Sequence, residues 1–152
     1  MRKWAFALAI AAATLFVGAA SGTAAEYGTA AEAKAMLEKT IAAVKADKAK
    51  AIAMFNKGEG GFKDRDLFPF CFNISDGMLV ATRAPTLGMD VRTLKDNAGH
   101  VFGQDVYNAA KDGQITEVSY MFLRPGADTT PVQKVSYVTK VGDLGCGVGY
   151  YK

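Results

Sequence analysis

The sequence predicts an α+β fold in which one long helix lies on a five-stranded antiparallel sheet. Three observations predict it. A stretch from Thr29 to Lys57 carries apolar residues at three- and four-residue steps, the spacing of one helical face. Five apolar segments of strand length follow it, with turn residues between them. The longest of these, "PVQKVSYVTKV" from Pro131 to Val141, alternates with a period of two.

The helix has its own start and stop. Thr29 and Glu32 have the spacing of a capping box, in which each side chain satisfies a free backbone N–H. Ala33, Leu37, Ile41, Val44, Ala51, Ile52 and Phe55 form the stripe, and Gly58 supplies the positive φ of a helix end. One continuous helix over this range is about 40 Å long at 1.5 Å per residue. Its alanines make the stripe thin, so the helix is expected to lie flat on a sheet.

"LFPFCFNI" (Leu67 to Ile74) and "GMLVATRA" (Gly77 to Ala84) read as two strands turned at "SDG". Phe68, Phe70 and Phe72 share one face of the first, and Cys71 points to the other. A region rich in turn residues follows, then a short helix from Val101 to Lys111 with Phe102 and Val106 inward. Glu117 to Arg124, Val132 to Val141 and Cys146 to Tyr151 complete the sheet.

Before the helix, Arg2 and Lys3 precede an uncharged run from Trp4 to Ala20 and then small residues. This is the pattern of a secretory signal peptide, with Ala25 as the expected last residue removed and Ala20 to Ala24 as alternatives. The rival reading of the same run is an uncleaved membrane anchor. Cleavage leaves residues 26–152 as one domain in the periplasm. No other apolar run approaches the roughly 20 residues of a membrane span, so the mature form is not expected to span a membrane. The chain has 18 basic and 15 acidic residues. Losing Arg2 and Lys3 brings the mature chain close to neutrality, without the basic stripe of a nucleic-acid-binding protein. Cys71 and Cys146 both lie in the exported part, where an oxidising compartment makes a disulfide the expectation.

Catalysis has no visible machinery. The chain lacks G-x-S-x-G, H-E-x-x-H and a glycine-rich phosphate loop. "NISDG" (Asn73 to Gly77) lacks the acidic spacing of a calcium loop and reads as a hairpin turn. Asp64 and Asp66 are expected to be a solvated entry to the first strand rather than metal ligands. His100 is the one histidine and the chain's switchable group, read first as a turn or cap residue.

Lys134 is the odd residue in its strand. A hairpin closed about Asp128 pairs Phe122 with Lys134 and Tyr120 with Ser136, so these four share one sheet face. Met121, Leu123, Val135 and Tyr137 share the other, more apolar face, which suits the long helix. Aromatic walls, a hydroxyl and an ammonium compose a site for a small anionic molecule, whose carboxylate would offset the cost of burying the charge. The alternative is that Lys134 lays its stem over Phe122 and places its head in water, or pairs with a local acid. A one-residue slip in register would separate the four residues.

Together these residues resemble the single Cache domain family of extracytoplasmic sensor modules. The resemblance covers nearly all of the mature chain. It rests on the long opening helix, "FNISDGMLVATRAP", "LGMDVRTLKDNAGHVFGQDVYNAAKDG", "VSYMFLRPG", "PVQKVSYVTKV" and the closing "GCGVGYYK". It implies a PAS-like fold with the helix on one sheet face and a cavity for small organic ligands, often short carboxylates, on the other. Tyr120 and Lys134 match motif positions near the family's pocket, and Phe122 stands where an aromatic is common. Ser136, Phe70, Arg83 and His100 complete the candidate set, and no cofactor is implied. Such domains usually sit between two membrane helices of a receptor. This chain is expected instead to be a free binding protein that hands a ligand or signal to a membrane receptor or sensor partner. The rival expectation is a structural or interaction protein whose cavity is filled by its own Phe70, Phe72 and Phe122.

Overall fold

The computed structural model describes residues 25–126 and 129–152. The leader read from the first 25 residues therefore lies almost wholly outside the described residues. Helix α1 spans Ala30–Ala46 and α2 spans Lys48–Lys57. Strands β1 (Pro69–Asn73) and β2 (Leu79–Ala81) follow, then a 3-10 turn at Val91–Thr93 and helix α3 (Phe102–Ala109). Strands β3 (Thr116–Leu123), β4 (Pro131–Val141) and β5 (Leu144–Tyr151) close the fold. The five strands form one antiparallel sheet in the order β2-β1-β5-β4-β3, so the expected α+β class holds.

The opening helix begins as its sequence dictates, with Thr29 and Glu32 forming the reciprocal capping box. It is not continuous. Asp47 leaves the helical region at φ −160° and ψ 99°, ending α1 and capping α2 through a side-chain bond from the Lys50 N–H at 3.0 Å. A short acid that bonds its own backbone competes with the helix, and here it wins. The break lets two short helices follow the twisted sheet. Their buried residues, among them Leu37, Val44 and Phe55, pack with Val135, Val148 and Cys71 into one core.

β1 lies beside β5, and Cys71 faces Cys146 directly across that pair with their Cα atoms 4.1 Å apart. The two form a disulfide that closes a 75-residue separation. The β1–β2 turn is a plain hairpin: Gly77 at φ 75° donates its N–H to Asn73 O at 2.9 Å. Asp66 is not a solvated entry residue. It is 7% exposed, and its Oδ1 accepts the Gly28 N–H at 2.6 Å, tying the approach to α1 onto the approach to β1.

The opposite sheet face carries a second core of Phe72, Leu79, Val91, Phe102, Val106 and Val138. Helix α3 and the 3-10 turn roof it. Gly103 weakens α3 by propensity, but the Val91 carbonyl leaves no room for a Cβ at that position. The glycine is what lets α3 settle against the turn.

Candidate functional site

The register of β3 against β4 decides which side chains meet. Tyr120 faces Lys134, Val118 faces Ser136, and Phe122 faces Val132. The expected pairing is thus displaced by two residues. An even displacement preserves parity, so Tyr120, Phe122, Lys134 and Ser136 still share one face. On the other side of β4, Lys134 faces Tyr151 and Ser136 faces Gly149.

Between this face and its roof lies a cavity of about 210 Å³. Its lining includes five of the sequence candidates: Phe70, Tyr120, Phe122, Lys134 and Ser136. Phe102 stacks on Tyr120 at 4.0 Å between ring centres, and Phe122 stands edge-on to both. The Tyr120 and Ser136 hydroxyls bond each other at 2.9 Å. Burial pushes the Tyr120 phenol up to about 12, so it stays neutral and able to donate.

Lys134 is 9% exposed. Its Nζ has one hydrogen bond among the described residues, a 3.4 Å contact to Tyr151 Oη. The Tyr151 proton goes elsewhere, to Leu123 O at 2.6 Å, so the phenol oxygen offers the ammonium a lone pair. Three rings surround the cation: Tyr151 at 4.6 Å, Phe122 at 5.5 Å and Phe68 at 5.7 Å. Among the described residues no carboxylate lies within 4.0 Å of it. Desolvation draws the Lys134 pKa down to about 8, and the charge of Asp66 opposes that pull without cancelling it. Ammonium has three donors, so this one keeps hydrogen-bonding capacity for a guest.

Arg83 and His100 are not brought to this cavity. Arg83 is exposed and donates to Asn56 O at 3.1 Å, in the last turn of α2, where a cation complements the helix end. The His100 ring is 58% exposed, with Asp96 and Asp105 at 3.9 and 3.7 Å. Phe72 does not enter the cavity either; it is fully buried and packs beside Tyr107.

Two parts of the site escaped the sequence reading. In the roof, Phe102 and Val106 are the inward helix residues that the sequence indicates, but Thr86, Val91, Leu94 and Lys95 come from the aperiodic stretch before α3, which gave no period to follow. The floor comes from β5, where Gly145, Gly147 and Gly149 alternate on the cavity face. A Cβ at Gly149 would stand 2.7 Å from Lys134 Cε and 2.8 Å from Ser136 Oγ. The G-x-G-x-G spacing in a strand was the available signal: it strips one face of side chains so that neighbours can lie across it.

A model of the Cache domain matches residues 17–152. No match is found among curated proteins. Solved structures that share the fold include the following three. A methyl-accepting chemotaxis protein from Vibrio parahaemolyticus is 19% identical with a TM-score of 0.58, covering 80% of this chain and 86% of that one. The periplasmic sensor domain of a chemotaxis protein is 19% identical with a TM-score of 0.57, covering 78% and 87%. A Cache chemosensory domain that recognises carboxylic acids is 20% identical with a TM-score of 0.55, covering 78% and 85%. Cache domains are sensor and ligand-binding modules, and among the described residues no helix is long and apolar enough to cross a membrane. With its sheet order, its roofed cavity and a family match over most of its length, this chain belongs to the Cache domain family.

Proposed function

We propose that this protein is a non-enzymatic binding module of the periplasm that holds a small organic carboxylate against Lys134. The observation that carries this reading is a buried ammonium at the wall of an open cavity, with no carboxylate within 4.0 Å among the described residues. Burying an unpaired charge costs several kcal/mol, and a guest carboxylate offsets that cost with charge-assisted hydrogen bonds. Tyr120 and Ser136 add hydroxyls on the same wall, and Phe70 and Phe122 add apolar surface. The open volume favours this reading over a cavity plugged by the protein's own rings. Carboxylic acid recognition by a structural neighbour of the same fold lends it support.

In this reading the leader is removed after Ala25, and the freed domain passes its ligand or signal to a membrane receptor or sensor partner. Arg83 and His100, outside the cavity, take no part in holding the ligand.

Calorimetric titration of the exported protein with a panel of carboxylates and their neutral amides tests it. Binding of acids but not amides, lost in Lys134→Met, is the expected result. Equal binding of acid and amide, or none of either, overturns it.

A further inference from the structure

We infer that the guest is a monocarboxylate with an apolar body of about one aromatic ring and one or two further carbons, and with no second charge. This rests on the reading of Lys134 as the carboxylate's partner and names the class of acid it takes.

Charge is the first constraint. Among the described residues two cations and no acid line the cavity, and one of the cations, Lys95, is exposed at the rim. The α-ammonium of an amino acid sits one carbon from its carboxylate. It would therefore stand close to Lys134 with no lining acid to receive it, and like charges in a desolvated site repel strongly. The nearby buried acid is Asp66. One of its oxygens holds Gly28, the other has no partner among the described residues, and it lies outside the lining. Its charge already acts on Lys134.

Polarity is the second. Away from Lys134 the buried wall is mostly apolar, with Leu79, Val91, Leu94 and Val106; Thr82 and Thr86 are its neutral polar members, and Lys95 stands exposed at the rim, in water rather than in the desolvated part. A second carboxylate would be desolvated against these residues without a buried partner, which is costly.

Size and shape are the third. A dry apolar cavity of about 150 Å³ accommodates benzene. The 210 Å³ here exceeds that by roughly the volume of two water molecules, which a carboxylate and a carbon or two would fill. Acetate would leave most of the wall without contacts. Each buried methylene strengthens binding about fourfold. The stacked Phe102–Tyr120 pair with Phe122 edge-on leaves ring faces and edges for a guest ring to continue the pattern.

Four ligands separate the possibilities by calorimetry on the exported protein: acetate, phenylpropionate, phenylalanine and phenylsuccinate. Phenylpropionate is expected to bind at least a hundredfold more tightly than acetate, and at least tenfold more tightly than phenylalanine or phenylsuccinate. Tighter binding of acetate, of the amino acid or of the diacid overturns the inference while leaving a carboxylate at Lys134. Undiminished phenylpropionate binding in Lys134→Met, or no binding of any acid to the native protein, removes the reading beneath it as well.

Discussion

Lys134 and Tyr151 face each other across the β4–β5 pair, and the phenol turns its oxygen, not its proton, toward the ammonium. Tyr151 Oη donates to Leu123 O at 2.6 Å and lies 3.4 Å from Lys134 Nζ. Among the described residues, one weak neutral acceptor, three ring faces and the more distant charge of Asp66 are what this buried charge is given. The rest of its coordination opens on the cavity. From this relationship the behaviour of the site under mutation and pH can be worked out.

Replacing Lys134 with methionine keeps the stem and removes the charge. Taking a poorly paired buried ion out of a core removes its desolvation cost while giving up little pairing. Lys134→Met is therefore expected to melt at or above the native temperature while losing carboxylate affinity by on the order of a hundredfold. Thermal denaturation and calorimetry read the two effects separately. A large drop in melting temperature would make Lys134 a structural residue.

The same charge gives the ligand-free protein a pH signature. Lysine titrates near 10.4 when unfolded and at about 8 here. Between those values the unfolded chain holds more protons than the folded one, so stability must rise with pH. Above about pH 10 the raised phenols of Tyr120, Tyr150 and Tyr151 work in the opposite direction. The clean window runs from about pH 8 to 9.5. Urea denaturation across it should show native stability climbing relative to Lys134→Met. Parallel curves would mean that Lys134 titrates as an ordinary surface lysine.

Carboxylate affinity should show the reverse trend, because the guest needs the protonated amine. It is expected to stay level between about pH 6 and 7, where the guest acid is ionised, and to weaken by up to tenfold per unit above pH 8. An affinity flat from pH 6 to 10 would assign the anion to another group.

Gly149 is a test of the floor. A Cβ there meets Lys134 Cε and Ser136 Oγ, the far ends of side chains rather than backbone. Gly149→Ala should fold, because those atoms can move, and should weaken binding at least tenfold by pushing the ammonium out of place. Native affinity in Gly149→Ala would show that the ligand does not rest on β5.

The disulfide is a separate matter from the site. Closing a 75-residue separation between two strands that already pair stabilises by about 4 kcal/mol on the chain-entropy model. The double variant Cys71→Ala, Cys146→Ala should unfold at correspondingly lower urea, with ligand specificity unchanged.

Much of this architecture was legible because its signals are local and periodic. The Thr29–Glu32 box, the β4 alternation and the turn at Gly77 each depend on residues within a few positions. The grouping of Tyr120 with Lys134 survived an error of two residues in register because side-chain direction has a period of two. Asp47 was passed over because a single polar residue off the stripe looks like any solvated helix position, and only its extended backbone reveals the break. Asp66 looked solvated because its partner, the Gly28 N–H, is 38 residues away. The roof was unreadable for a similar reason. Val91 and Leu94 lie in a stretch without regular spacing, and what places them is packing against distant elements.

The most direct test is to follow the Lys134 amine itself by nuclear magnetic resonance, titrating pH with and without phenylpropionate. The account predicts a pKa near 8 in the free protein and a clear rise when the acid is bound, as an anion stabilises the charged form. A free value near 10.4 that does not move with ligand would contradict it.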